Sequence, residues 1–174
     1  MVEELNDAIA NYNTKWKALV EIRRNRRFFA ELHPTAVAWK TVDRVEYDKI
    51  FAELHELSDV VVESWWDGRW IAMLHLREIK LNNGIEVVKL MQRRPNSKDA
   101  TGIDHIDFYH PEVAGAEGIL LNEPNLKWSH EAGGQAKWIS VWFAGTEAKL
   151  RTHTIIDSCI RDLAAANDHI KGAK

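Results

Sequence analysis

The order of turns, strands and helices along the chain repeats itself, and that repeat constrains the fold more than any other feature. Residues 35–41 (TAVAWKT) read as a short strand, and residues 45–57 as an amphipathic helix with Val45, Ile50, Leu54 and Leu57 toward the core. Strands are expected next at 59–64, 71–81 and 85–92, separated by Asp67-Gly68 and by Asn82-Asn83-Gly84, which suit tight turns. After the polar connection RRPNSKDATG the order starts again. A strand at 103–109 precedes a helix at 111–121, weakened by Gly115 and Gly118. A loop rich in Asn, Pro and Gly follows, then strands at 137–143 and 147–151, and a closing helix at 155–170. No linker or low-complexity stretch divides the halves. The expectation is two half-domains packed into one α+β unit.

Ahead of the repeat, residues 2–32 read as one long helix, with Leu5, Ile9, Tyr12, Trp16 and Leu19 on one face. Near its end stand Arg23, Arg24, Arg26 and Arg27, the chain's only hint of nucleic-acid binding. Cations are equally favoured at a helix C-terminus, and a net charge of −3 supplies no general attraction to nucleic acid or to an anionic membrane. The single cysteine, Cys159, allows no intrachain disulfide and no zinc–thiolate cluster; its setting, IIDSCIRDL, suits the apolar side of a helix. No apolar run is long enough to span a membrane, and the acidic start is unlike a signal peptide, so a cytoplasmic location is expected. Among eight tryptophans, Trp65, Trp66 and Trp70 bracket the Asp67-Gly68 turn, where some rings must be partly exposed.

The chemistry concentrates in TGIDHIDFYHPE, residues 101–112. Alternation along a strand puts Ile106 and Phe108 on one face with Asp104 and His110, and His105 and Asp107 on the other with Ile103 and Tyr109. A histidine and a carboxylate two residues apart can form the wall of a site or a self-satisfied structural pair. No glycine-rich phosphate loop, GxSxG, HExxH or CxxC occurs.

Taken together, the leading helix, ESWWDGRWIAMLHL, IEVVKLMQRRP, GIDHIDFY and AKLRTHTIIDSCI resemble the YecM-like branch of the vicinal-oxygen-chelate superfamily, over about residues 35–160. The resemblance implies two βαβββ halves forming a curved, cup-like mixed sheet, with an added N-terminal and C-terminal helix. The implied boundaries are 1–34 for the helical extension and 35–174 for the domain, with halves 35–98 and 99–154 and a last helix at 155–171. It also implies a metal held inside the sheet by one histidine or carboxylate from each of four strands. Here those positions fall on Ala36, Lys89, His105 and Arg151, with His33 three residues too early for the first. One ligand of four is kept, and two become cations.

If the sheet curls as the resemblance implies, Lys89, His105, Asp107, Lys149 and Arg151 line one concavity, with Trp70 or Trp142 as an aromatic wall. Such a cup suits a small anion, because Arg and Lys are strong partners for carboxylates and phosphates. No cofactor is then expected. The alternatives are a divalent-metal enzyme of the same fold, with His105 as one ligand and His33 or His130 as others, and a partner-binding protein using the N-terminal helix. A closed interior in which Lys89, Arg151 and Asp107 neutralise one another also stays open, as does an oligomer.

Overall fold

The computed structural model describes residues 1–66, 68–110, 115–133 and 136–151. The expected closing helix, Cys159, Asp67 of the first turn and residues 111–114 of the helix expected at 111–121 lie outside the described residues.

In chain order, α1 (Val2–Glu21) and α2 (Arg26–Ala30) lead into β1 (His33–Thr41), α3 (Arg44–Glu56), β2 (Ser58–Trp66), β3 (Arg69–Leu76) and β4 (Val87–Gln92). The second half holds β5 (Gly102–Tyr109), α4 (Ala116–Leu121), β6 (Lys127–Gly133), β7 (Ala136–Phe143) and β8 (Thr146–Arg151). These strands make one mixed sheet in the order β2-β3-β4-β1-β5-β8-β7-β6. In each half the first strand lies parallel to the last, β1 to β4 and β5 to β8, and the rest of the meander runs antiparallel. The halves meet where β1 and β5 pair antiparallel at the centre. This is the doubled βαβββ plan expected from the order of elements.

Helices cover one face of the sheet. Along α1, Leu5, Ile9, Tyr12, Trp16 and Leu19 are buried, each contributing about 1.5–3 kcal/mol through the apolar area removed from water. Trp16 stacks on Phe108 of β5 with centroids 4.6 Å apart, and Tyr12 donates to the backbone carbonyl of Glu147 at 2.8 Å. Asp43 caps α3 by accepting from the Glu46 amide at 2.8 Å. The helix buries Tyr47, Ile50 and Leu54, a spacing of three and four. Val45 was expected among them but is 79 % exposed, because it stands five residues from Ile50 and projects from the other side.

Three further expectations need correction. The N-terminal helix is two helices, not one. Between them Glu123 accepts from the amides of Arg24 and Asn25 (3.1 and 2.7 Å) and from Asn25 Nδ2, replacing the intrahelical acceptors a continuous helix would use. The third strand stops at Leu76 rather than Leu81. Finally, residues 127–133, read as part of a loop, form edge strand β6. Its KWSHEAG sequence carries little β-branched character, so it has no strand signature of its own, and pairing with β7 determines it.

Candidate functional site

The face away from the helices is read off the strand register. Across the middle of the sheet one row runs Met73, Lys89, Ala38, His105, Glu147 and Trp142, and the next runs His75, Val87, Ala36, Asp107, Lys149 and Ser140. Arg151 follows on β8. Lys89, His105, Asp107, Lys149 and Arg151 therefore share one face. At the centre stand Ala36 and Ala38, whose single methyl groups leave room above β1. Side chains from β4 on one side and β5 on the other fill that room, and both alanines are fully buried.

Asp107 is completely buried and accepts from Arg151 Nε. Burial alone would push its carboxyl up, but the Arg151 guanidinium, then His105, outweigh this and hold it well below the usual carboxylate range. Asp104 enters by a route the alternation rule misses. β5 has one residue more than β1 here, since Trp39 pairs with Ile103 and Ala38 with His105. Asp104 is that extra residue, so its carboxylate reaches His105 Nδ1 at 2.8 Å and Lys40 Nζ at 3.0 Å. The same bulge turns Ile103 to the helical side, where it packs on the core, rather than beside His105. Burial pushes the Asp104 carboxyl up, and His105 and Lys40 pull it further down, so it stays ionised. An ionised carboxylate only accepts, so Nδ1 of His105 carries the hydrogen. That leaves His105 Nε2 facing Asp107 Oδ2 at 3.4 Å, each buried with no other hydrogen-bond partner among the described residues.

Glu147 is the second acid not anticipated on this face. It accepts from Ser140 Oγ at 2.5 Å and lies 3.9 Å from Lys149 Nζ. With both acids present the charges pair off: Arg151 with Asp107, Lys149 with Glu147, and Lys40 with Asp104 and Asp99. Lys89 is left over. It is 9 % exposed and has no hydrogen bond or ion pair among the described residues. Burial pushes its ammonium down to about 8; Asp107 pulls upward, while Arg151 and Lys149 push further down.

Trp70 is not a wall of the cup. It pairs with Trp65 across the first hairpin and faces the helices, with Arg44 4.9 Å above its ring and Trp65 edge-on at 5.5 Å. Trp65 and Trp66 are the exposed rings of that cluster. The aromatic surface beside the cations is Trp138, with Lys149 Nζ and Arg151 Cζ each 5.0 Å from its ring. Trp142 shares the cup face but lies under Lys127.

Neither His33 nor His130 joins His105. His33 is exposed at the start of β1, and His130 is an exposed residue of β6 whose Nε2 lies 3.4 Å from Glu117. Among the described residues, those that could hold a metal are instead Asp104, His105 and Glu147, whose ligand atoms lie within 4.8 Å of one another. An imidazole and two carboxylates suit a divalent first-row ion. Each of the three is already engaged by Lys40, Asp104 or Ser140, and Lys149 stands beside them. The arginines of the N-terminal region are partly spoken for as well. Arg23 is buried and donates to the Pro124 carbonyl at 3.0 Å, and Arg27 pairs with Glu31.

No family model and no curated protein matches the sequence. Solved structures do match. A structural-genomics protein, EC4020, is 18 % identical, with a TM-score of 0.65 over 88 % of this chain and 90 % of that one. A methylmalonyl-CoA epimerase from Streptomyces coelicolor is 12 % identical, with a TM-score of 0.45 over 68 % of this chain and 94 % of the epimerase. A hypothetical protein from Bacillus halodurans C-125 is 13 % identical, with a TM-score of 0.46 over 70 % and 94 %. At these identities the likeness is one of fold, and EC4020 carries it.

Proposed function

We propose that the chain is a vicinal-oxygen-chelate-like protein of the YecM-like kind, whose cup has exchanged a metal for a small anion. The supporting observation is Lys89. A nearly buried ammonium with no acceptor among the described residues is costly, and a carboxylate, phosphate or sulfate oxygen beside it removes that cost. Lys149 and Arg151, held over Trp138, supply further positive charge and an aromatic surface on the same side. Asp107 and Glu147 keep those two cations in place without reaching Lys89.

A thermal-shift screen with sulfate, phosphate and small carboxylates tests this, comparing wild type with Lys89→Met/Arg151→Met. Wild type should gain about 2–3 kcal/mol at a hundred times the dissociation constant, and the double variant should gain nothing. Equal shifts in both proteins, or none in wild type, would remove the proposal.

The grouping of Asp104, His105 and Glu147 favours one other reading, a divalent-metal enzyme. There the three residues would hold the ion, which would act as a Lewis acid on a bound oxygen, with Ser140 orienting Glu147. A partner-binding role for α1 would have to use its polar side, because its apolar side is buried on the sheet.

A further inference from the structure

We infer that Lys89 is a nucleophile toward carbonyl compounds, and that the cup takes a 2-oxo acid and holds it as an imine on the Lys89 ε-amino group. The inference rests on the anion-binding reading and adds the chemical class and the bond.

Geometry comes first. Lys89 lies across Ala38 from His105, and its stem has only alanine methyls beneath it on β1. Its nitrogen feels Asp107 as well as Arg151 and Lys149, yet among the described residues it makes no hydrogen bond or ion pair that would tie up a lone pair. A buried lysine that no carboxylate engages directly is one whose neutral amine the fold favours, and burial acts in that direction against the pull of Asp107.

The substrate class follows from what faces the amine. Lys149 and Arg151 stand three strands away and two and four residues along β8 from the level of Lys89, about 16 and about 20 Å between Cα atoms on a flat sheet, with long side chains entering from both ends. A molecule with a carboxylate for the Arg151 and Lys149 side and a carbonyl carbon next to it presents that carbon toward Lys89. Trp138 backs the cationic end.

Between the two ends sit Nε2 of His105 and Oδ2 of Asp107, 3.4 Å apart and with no other hydrogen-bond partner among the described residues. These atoms can relay the protons that imine formation requires. The amine lone pair forms the N–C bond while the carbonyl π electrons move to oxygen. A proton passes from nitrogen to that oxygen through the His105–Asp107 pair, giving a carbinolamine. A second proton transfer then lets the hydroxyl leave as water as the C=N bond closes. Amine and carbonyl become imine and water, with no oxidant or reductant.

The test uses the whole wild-type protein with pyruvate, and separately glyoxylate, followed by sodium borohydride, whose hydride converts C=N to a stable secondary amine. Peptide mass mapping then locates the adduct. Labelling should be several-fold greater at Lys89 than at Lys80, which is exposed, and excess sulfate should suppress it. Lys89→Arg, which keeps the charge but not the nucleophile, should still show a pyruvate-dependent thermal shift and lose the adduct. A pyruvate-dependent shift without trapping at Lys89, or equal trapping at Lys89 and Lys80, overturns the imine and leaves anion binding standing. Neither shift nor adduct overturns both.

Discussion

Lys89→Met should make the ligand-free protein more stable at neutral pH, although it deletes a charged residue beside a buried carboxylate. Burial takes the Lys89 ammonium from its ordinary 10.5 down to about 8. A fall of that size corresponds to roughly 3 kcal/mol by which the fold disfavours the charged form relative to the unfolded chain. Below about pH 8 both states hold the proton, and the fold carries the whole penalty. Between about 8 and 10.5 the folded protein has lost the proton while the unfolded chain keeps it, so wild-type stability rises with pH. Methionine keeps an unbranched stem of similar length and leaves Arg151 to neutralise Asp107. The variant should therefore be more stable by about 1–3 kcal/mol at pH 7, the lower figure allowing for imperfect packing of the methionine side chain. Urea unfolding at pH 7, 8.5 and 10, in buffer free of carboxylate, phosphate and sulfate, should show the gap closing as the pH rises. A variant less stable than wild type, by an amount independent of pH, would refute the reasoning and place Lys89 in a satisfied ion pair.

Asp107→Asn should cost about 3–5 kcal/mol at pH 7 by leaving Arg151 buried without its counter-charge, read by urea unfolding. Because the folded-state Asp107 carboxyl lies below its ordinary 3.8, its contribution is complete above that value and is lost as the pH falls beneath it. Acid titration of the same variant should accordingly show a shallower loss of stability below about pH 4 than wild type. Phe108→Ala should cost about 3–5 kcal/mol, since it empties the seat of the Trp16 ring, and tryptophan fluorescence should change with it. Elemental emission on purified protein should find less than one Zn, Ni, Fe or Mn per chain; one metal per chain, lost on Glu147→Gln, would promote the metal-enzyme reading.

Much of the architecture was legible because it is written in periodicity. Leu5, Ile9, Tyr12, Trp16 and Leu19 recur on α1 at the spacing their burial requires, whereas the central strands around Val37, Val88 and Ile106 are buried on both faces. Lys89, His105, Asp107, Lys149 and Arg151 could be placed on one face because alternation groups them within each strand and the family resemblance brings the strands together. What alternation does not encode is an inserted residue. The bulge at Asp104 brings an acid to His105 and turns Ile103 away, and nothing in GIDHIDFY announces it. Glu147 could have been found from the same alternation, since it stands two residues before Lys149. Trp70 was misplaced for a different reason: in a two-residue hairpin the facing pair Trp65 and Trp70 shares one side, and which side depends on α3 beneath it. The register of β6 is likewise fixed by its neighbour rather than by its own residues.

The claim that Lys89 awaits an anionic partner is tested most directly by a crystal structure at pH 7 from crystals soaked in selenate, read by the anomalous signal of selenium. The account predicts a peak in the cup within hydrogen-bonding distance of Lys89 Nζ, on the side of Arg151 and Lys149. A cup without such a peak, with Lys89 Nζ bonded to Asp107 Oδ2, would contradict it.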